Sequence, residues 1–187
     1  WKHYVEAPTG TAAVYLRRSD GTADTYYLTH DHLGSTDKVL NAAGGVVTVE
    51  ESFTALGARR GSDWQGTPTP AELAAIAATT RDGFTGHAML DSVGLIHMRG
   101  RVYDPVIGRF LSVDPLVRDV TATQSWNGYG YVEGRALSAT DPSGYALSFD
   151  LTGPIENVIA TERREPCDRY GLLCNVNVGQ EIRFYLQ

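Results

Sequence analysis

Apolar and polar residues alternate in short runs along the first fifty residues, broken by clusters of turn formers. Residues 14–16 and 25–28 flank Ser19-Asp20-Gly21, and residues 38–40 and 46–50 flank Asn41-Ala42-Ala43-Gly44-Gly45. A period of two bounded by Gly, Asn and Asp predicts β-hairpins. The hairpins recur about every twenty residues, and Tyr103-Asp104-Pro105-Val106-Ile107-Gly108-Arg109-Phe110 reads as one more such unit. Repeats of this size bury their faces only by stacking on neighbours. One segment breaks the rhythm. Thr69-Pro70-Ala71-Glu72 is a capping box with Pro at the first helical position, followed by Leu73-Ala74-Ala75-Ile76-Ala77-Ala78, which predicts a helix over 70–78, inserted between strands.

Beyond residue 124 the alternation weakens, and Ser125-Trp126-Asn127-Gly128-Tyr129-Gly130-Tyr131 reads as an aromatic packing loop. After Tyr145 the pattern stops. Residues 146–187 hold an apolar run (154–160), a charged stretch (161–165) and an alternating strand (181–186). The expected division is 1–145 and 146–187. The chain opens on Trp1-Lys2-His3-Tyr4-Val5 in mid-pattern, the expected start of a piece of a longer polypeptide.

Composition narrows the class. Twenty Gly and ten Tyr against two Met in 187 residues suit a turn-rich β protein. A net charge of −6 with short, scattered Arg pairs lacks the basic patch that nucleic-acid binding requires. No run of apolar residues is long enough for a membrane helix, and the start does not read as a signal peptide.

Candidate chemistry concentrates in three Asp-Pro dipeptides: Asp104-Pro105, Asp114-Pro115 and Asp141-Pro142. One Asp-Pro marks a turn; three within fifty residues exceed what turns require. The order Arg101-Val102-Tyr103-Asp104-Pro105, Gly108-Arg109-Phe110, Asp114-Pro115, Asn127-Gly128-Tyr129-Gly130-Tyr131 and Asp141-Pro142-Ser143-Gly144-Tyr145 resembles the Rhs repeat-associated core of bacterial YD-repeat toxins. Upstream pieces fit the resemblance, including Asp31-His32-Leu33-Gly34-Ser35 and Phe84-Thr85-Gly86-His87, the latter similar to a Phe-Thr-Gly-Gln segment. The resemblance covers residues 12–145, with Leu56 where an aromatic is usual and Gly134-Arg135-Ala136 where Asn-x-Pro is common.

The resemblance implies a mainly β fold in which antiparallel Rhs-repeat sheet forms the end of a hollow shell, or cocoon. It also implies a single-turnover aspartyl autoprotease that frees an enclosed C-terminal toxin. Carried onto this sequence, the catalytic carboxylates are Asp114 and Asp141, with Asp104 a third candidate. Arg101 and Arg109 would support them, and the cut would fall between Tyr145 and Ala146. Two carboxylates suit this chemistry because one activates water while the other protonates the leaving amine. No cofactor is implied. The implied partners are the rest of the shell, the chain's own C-terminal segment, a secretion-system component and an immunity protein, with no nucleic acid or membrane bound by this region. Secretion or delivery by a bacterial secretion system follows. Two other classes stand beside this one: a wall module that contains without cutting, and a cell-surface YD-repeat recognition module.

The remaining candidates are weaker. His30 and His32 alternate around Asp31 as a metal-binding strand would, without an evident third ligand, so no metal site is expected. His87 and His97 read as solitary structural histidines. The spacing of Cys167 and Cys174 permits a disulfide in an oxidising compartment.

Overall fold

The computed structural model describes residues 1–7, 10–145 and 147–149. Five strands, β1 (Lys2–Ala7), β2 (Gly10–Arg17), β3 (Ala23–His30), β4 (Thr36–Asn41) and β5 (Val46–Glu50), form an antiparallel meander in chain order. The two expected hairpins are β2–β3 and β4–β5, joined by a third between β3 and β4. Local chemistry closes their turns. The Asp20 carboxylate accepts from the backbone N–H of Thr22 at 2.9 Å, and the Asn41 side chain accepts from that of Ala43 at 2.8 Å.

One face of this sheet carries Val14, Tyr26, Leu28, Val39 and Val49, all buried, and helix α1 (Pro70–Thr79) supplies Ile76 to the same cluster. The capping box is formed as expected: Thr69 Oγ1 accepts from the N–H of Glu72 at 3.2 Å, and Glu72 Oε2 accepts from that of Thr69 at 2.7 Å. The helix thus covers part of the sheet's apolar face through Ile76 and Ala75, the side that an antiparallel meander must keep from water.

A short hairpin, β6 (Ser52–Phe53) with β7 (Arg59–Arg60), precedes the helix. After it, β8 (Ala88–Leu90), β9 (Leu95–Met98), β10 (Arg101–Asp104) and β11 (Arg109–Phe110) make a second antiparallel sheet. Its core holds Phe84, Met89, Ile96, Met98, Tyr103, Phe110, Tyr131, Val132 and Ala139. Tyr131 is the anchor of the aromatic loop, with its ring centroid 4.8 Å from that of Tyr103, while Trp126 and Tyr129 remain exposed. Two final short strands, β12 (Ala139–Thr140) and β13 (Ser148–Phe149), pair across the Asp141–Tyr145 turn. Ala146, Cys167, Cys174 and the strand expected over 181–186 lie outside the described residues.

Candidate active site

Strand β10 alternates. Arg101 and Tyr103 are buried, whereas Val102 and Asp104 are only partly covered, so the period of two sends Arg101 and Asp104 to opposite faces. Arg101, an interior cation, is compensated on every side. Its Nη2 lies 2.9 Å from Asp114 Oδ2 and 3.2 Å from Asp141 Oδ2. Nη1 donates to the carbonyl of Gly128 at 3.2 Å, and Nε donates to that of Gly144. The guanidinium stacks on Phe110, 3.6 Å from the ring centroid, and faces Tyr145 at 5.4 Å. A buried Arg is stable only when its charge and donors are matched in this way.

The two aspartates arrive from different directions. Asp114 follows β11, where Phe110 N–H donates to Tyr129 at 3.0 Å and Asp114 N–H to Gly128 at 2.7 Å. The loop 127–130 therefore runs beside the chain, and the carboxylate itself accepts from the N–H of Leu116 on Oδ1 at 2.9 Å. Asp141 follows β12, and its side chain is 2% exposed against 11% for Asp114. Its backbone carbonyl accepts from His87 Nε2 at 2.9 Å. Burial pushes His87 down to about 4, so the ring is neutral and carries its proton on Nε2.

The turn Asp141-Pro142-Ser143-Gly144-Tyr145 docks on the β9–β10 turn. Gly100 N–H donates to the Ser143 carbonyl at 3.0 Å. Gly144 has φ +78°, and a Cβ there would sit 2.0 Å from the Met98 carbonyl oxygen. A Cβ on Gly100 would meet the Tyr145 ring at 2.1 Å. The two glycines thus open a slot for Tyr145, whose hydroxyl donates to the Gly100 carbonyl at 2.8 Å. Arg118 closes the arrangement by donating from Nη2 to the Tyr145 carbonyl oxygen at 2.8 Å.

Arg101, Asp114, Arg118, Asn127 and Asp141 line one small cleft of about 30 Å³, room for about two water molecules. Paired carboxylates, a neighbouring cation and space for water are the parts that acid–base hydrolysis of a peptide needs.

Of the residues picked out from sequence, Asp114, Asp141, Arg101 and Tyr145 converge. Asp104 and Arg109 do not join them. Asp104 Oδ1 accepts from the N–H groups of Val106 at 2.8 Å and Ile107 at 3.4 Å, an Asx turn closing β10–β11, and Arg109 is exposed beside buried Phe110. Asp31 is also a turn former, accepting from Leu33 and Ser35 at 2.8 Å each. Among the described residues, no three His, Cys, Asp or Glu side chains converge to hold a metal ion. Sequence reasoning missed Arg118 and the contact of His87 with Asp141. A polar side chain in the Phe-Thr-Gly-His segment was the available signal for His87; nothing local distinguished Arg118.

No family model matches the chain. Among curated proteins it is similar to the tRNA(Glu)-specific nuclease WapA of Bacillus subtilis subsp. natto, 29% identical over 109 residues that make up 58% of this chain and 5% of that protein. The tRNA3(Ser)-specific nuclease WapA of Bacillus spizizenii is 30% identical over 105 residues, 56% of this chain and 4% of that protein. The same fold occurs in the crystal structure of TcdB2-TccC3 without its hypervariable C-terminal region, with a TM-score of 0.60 at 23% identity, over 76% of this chain and 6% of that one. The chain is a homologue of the WapA proteins over the matched residues and shares the fold of the TcdB2-TccC3 structure. The Photorhabdus luminescens Tc holotoxin pore with an aspartate of TccC3 changed to alanine also matches, with a TM-score of 0.60 at 22% identity, over 82% of this chain and 7% of that one. The chain thus spans about a twentieth of the curated relatives it matches, and its mainly antiparallel sheets with one short helix are the fold it shares with the TcdB2-TccC3 structure.

Proposed function

We propose that this region is the closing end of an Rhs-type shell that contains a C-terminal toxin segment and separates it by one intramolecular cut between Tyr145 and Ala146. The observation that carries the proposal is the convergence of Asp114 and Asp141 on one guanidinium, in a cleft beside the docked Tyr145. One carboxylate takes a proton from water as it attacks the Tyr145 carbonyl carbon. The other, protonated, gives its proton to the departing nitrogen of Ala146. The products are a Tyr145 carboxylate and a new amino terminus. Neither aspartate is assigned to one role, because the pair works as a unit. Arg101 positions both carboxylates and, through Nε, the Gly144 carbonyl one residue before the bond.

Delivery outside the producing cell, through a secretion system and with an immunity protein protecting the producer, follows from the same reading. A second reading has support in Arg101 itself. A guanidinium tying residues 114, 128 and 141–144 together also suits a wall that holds its contents without cutting.

Intact mass of the full-length polypeptide separates the two. The expected result is two fragments divided after Tyr145, lost in Asp114→Asn and in Asp141→Asn and kept in Asp104→Asn. An uncut wild-type chain overturns the autoprotease.

A further inference from the structure

Arg118 sits on no strand and belongs to none of the Asp-Pro elements, yet its Nη2 donates to the Tyr145 carbonyl oxygen at 2.8 Å and its side chain lines the cleft shared by Asp114 and Asp141. We infer that Arg118 is a catalytic residue of the self-cleavage, the donor that receives negative charge on the scissile carbonyl oxygen. The inference rests on the proposed cut after Tyr145.

The argument is geometric. Tyr145 is fixed at three points: its ring in the slot over Gly100, its hydroxyl on the Gly100 carbonyl at 2.8 Å, and its N–H on Ser143 Oγ at 3.1 Å. Its carbonyl oxygen is therefore held still, and the Arg118 guanidinium meets it with a charged donor.

When water adds to the Tyr145 carbonyl carbon, the C=O π pair moves onto the oxygen and a carboxylate of the pair takes the water proton. The oxygen then carries a full negative charge beside Nη2–H. The acceptor passes from a partial to a full negative charge beside a fixed cation, so the contact strengthens at the transition state, which is what accelerates a reaction. Collapse restores C=O, breaks the C–N bond, and the nitrogen of Ala146 leaves with the proton of the second carboxyl. Afterwards the same guanidinium faces the new Tyr145 carboxylate. Arg101 cannot fill this role, since its donors are directed at Asp114, Asp141, Gly128 and Gly144.

The test follows cleavage during cell-free synthesis of the full-length polypeptide, comparing wild type with Arg118→Met, Arg118→Gln and Asp141→Asn. Loss of a single oxyanion donor typically slows a reaction about 100- to 1000-fold. A loss of that size is expected in Arg118→Met, with the melting temperature unchanged and partial recovery on adding free guanidinium. Arg118→Gln removes the charge and shortens the side chain while keeping it polar, so it carries the same test with a similar loss if the Met variant fails to fold. Wild-type rates in both Arg118 variants, with Asp141→Asn inactive, would overturn the role of Arg118 and leave the aspartyl cut standing. An uncut wild type overturns both together.

Discussion

His87 Nε2 lies 2.9 Å from the backbone carbonyl oxygen of Asp141, so a buried neutral imidazole holds the turn whose carboxylate meets Arg101. Burial is the main reason the ring is hard to charge, with the nearby Arg99 and His97 adding to it. The folded ring titrates near 4 and the unfolded one near 6.5. Between these values the unfolded chain binds more protons, so stability is full above 6.5 and is lost as pH falls toward 4. The slope approaches about 1.4 kcal/mol per pH unit. Glu51, pushed up to about 7 by burial despite its pairing with Arg59, acts with the opposite sign, losing stability as pH rises from 4.5. The clean measurement is therefore a difference. Denaturant unfolding of wild type and His87→Gln is expected to show that the wild type loses its advantage as pH drops from 6.5 to 4, and a constant difference would exclude a buried neutral His87.

Gly100 and Gly144 flank the same slot and predict two different failures. Alanine at 144 must adopt a positive φ, costing about 1–2 kcal/mol, and its Cβ would strike the Met98 backbone oxygen. Gly144→Ala is expected to lower the melting temperature sharply. Alanine at 100 would first meet the Tyr145 ring, a side chain that can swing away. Gly100→Ala is expected to keep nearly all stability and to slow self-cleavage by misplacing Tyr145. Calorimetry and cleavage time courses on the two variants check the contrast.

Cleavage after Tyr145 need not release the downstream piece. Ser148 pairs with Thr140 and Leu147 packs against the second core, so the ladder spans the proposed cut. Native gel filtration of the cleaved protein is expected to give one peak that separates into two bands only on a denaturing gel. Free migration of the C-terminal piece under native conditions would show that pairing and shell contacts do not retain it.

Two hairpins, the helix and the Asp-Pro motif were legible in the sequence alone, while β1, β6–β9, β12 and β13 were not. Alternation with the turns at Asp20-Gly21 and at residues 41–45 specified the β2–β3 and β4–β5 hairpins, and the Thr69–Glu72 box specified the helix start, because these signals act between residues a few positions apart. The Asp-Pro series pointed to Asp114, Asp141 and Tyr145 through resemblance to a family. The resemblance ranked Asp104 behind the other two aspartates without excluding it, since all three sit in the same local Asp-Pro turn chemistry. Only tertiary structure decided that. The pleat of β10 places Arg101 and Asp104 on opposite faces, and docking of the last turn on β9–β10 brings together groups 40 or more residues apart, such as Arg101 with Asp141 and Tyr145 with Gly100. Arg118 was silent for the same reason, and His87 carried no more than its place after Phe-Thr-Gly. A lone Arg in a loop and a lone His after Phe-Thr-Gly gain a partner only when chain closure, which no local pattern encodes, sets the Tyr145 and Asp141 carbonyls in front of them.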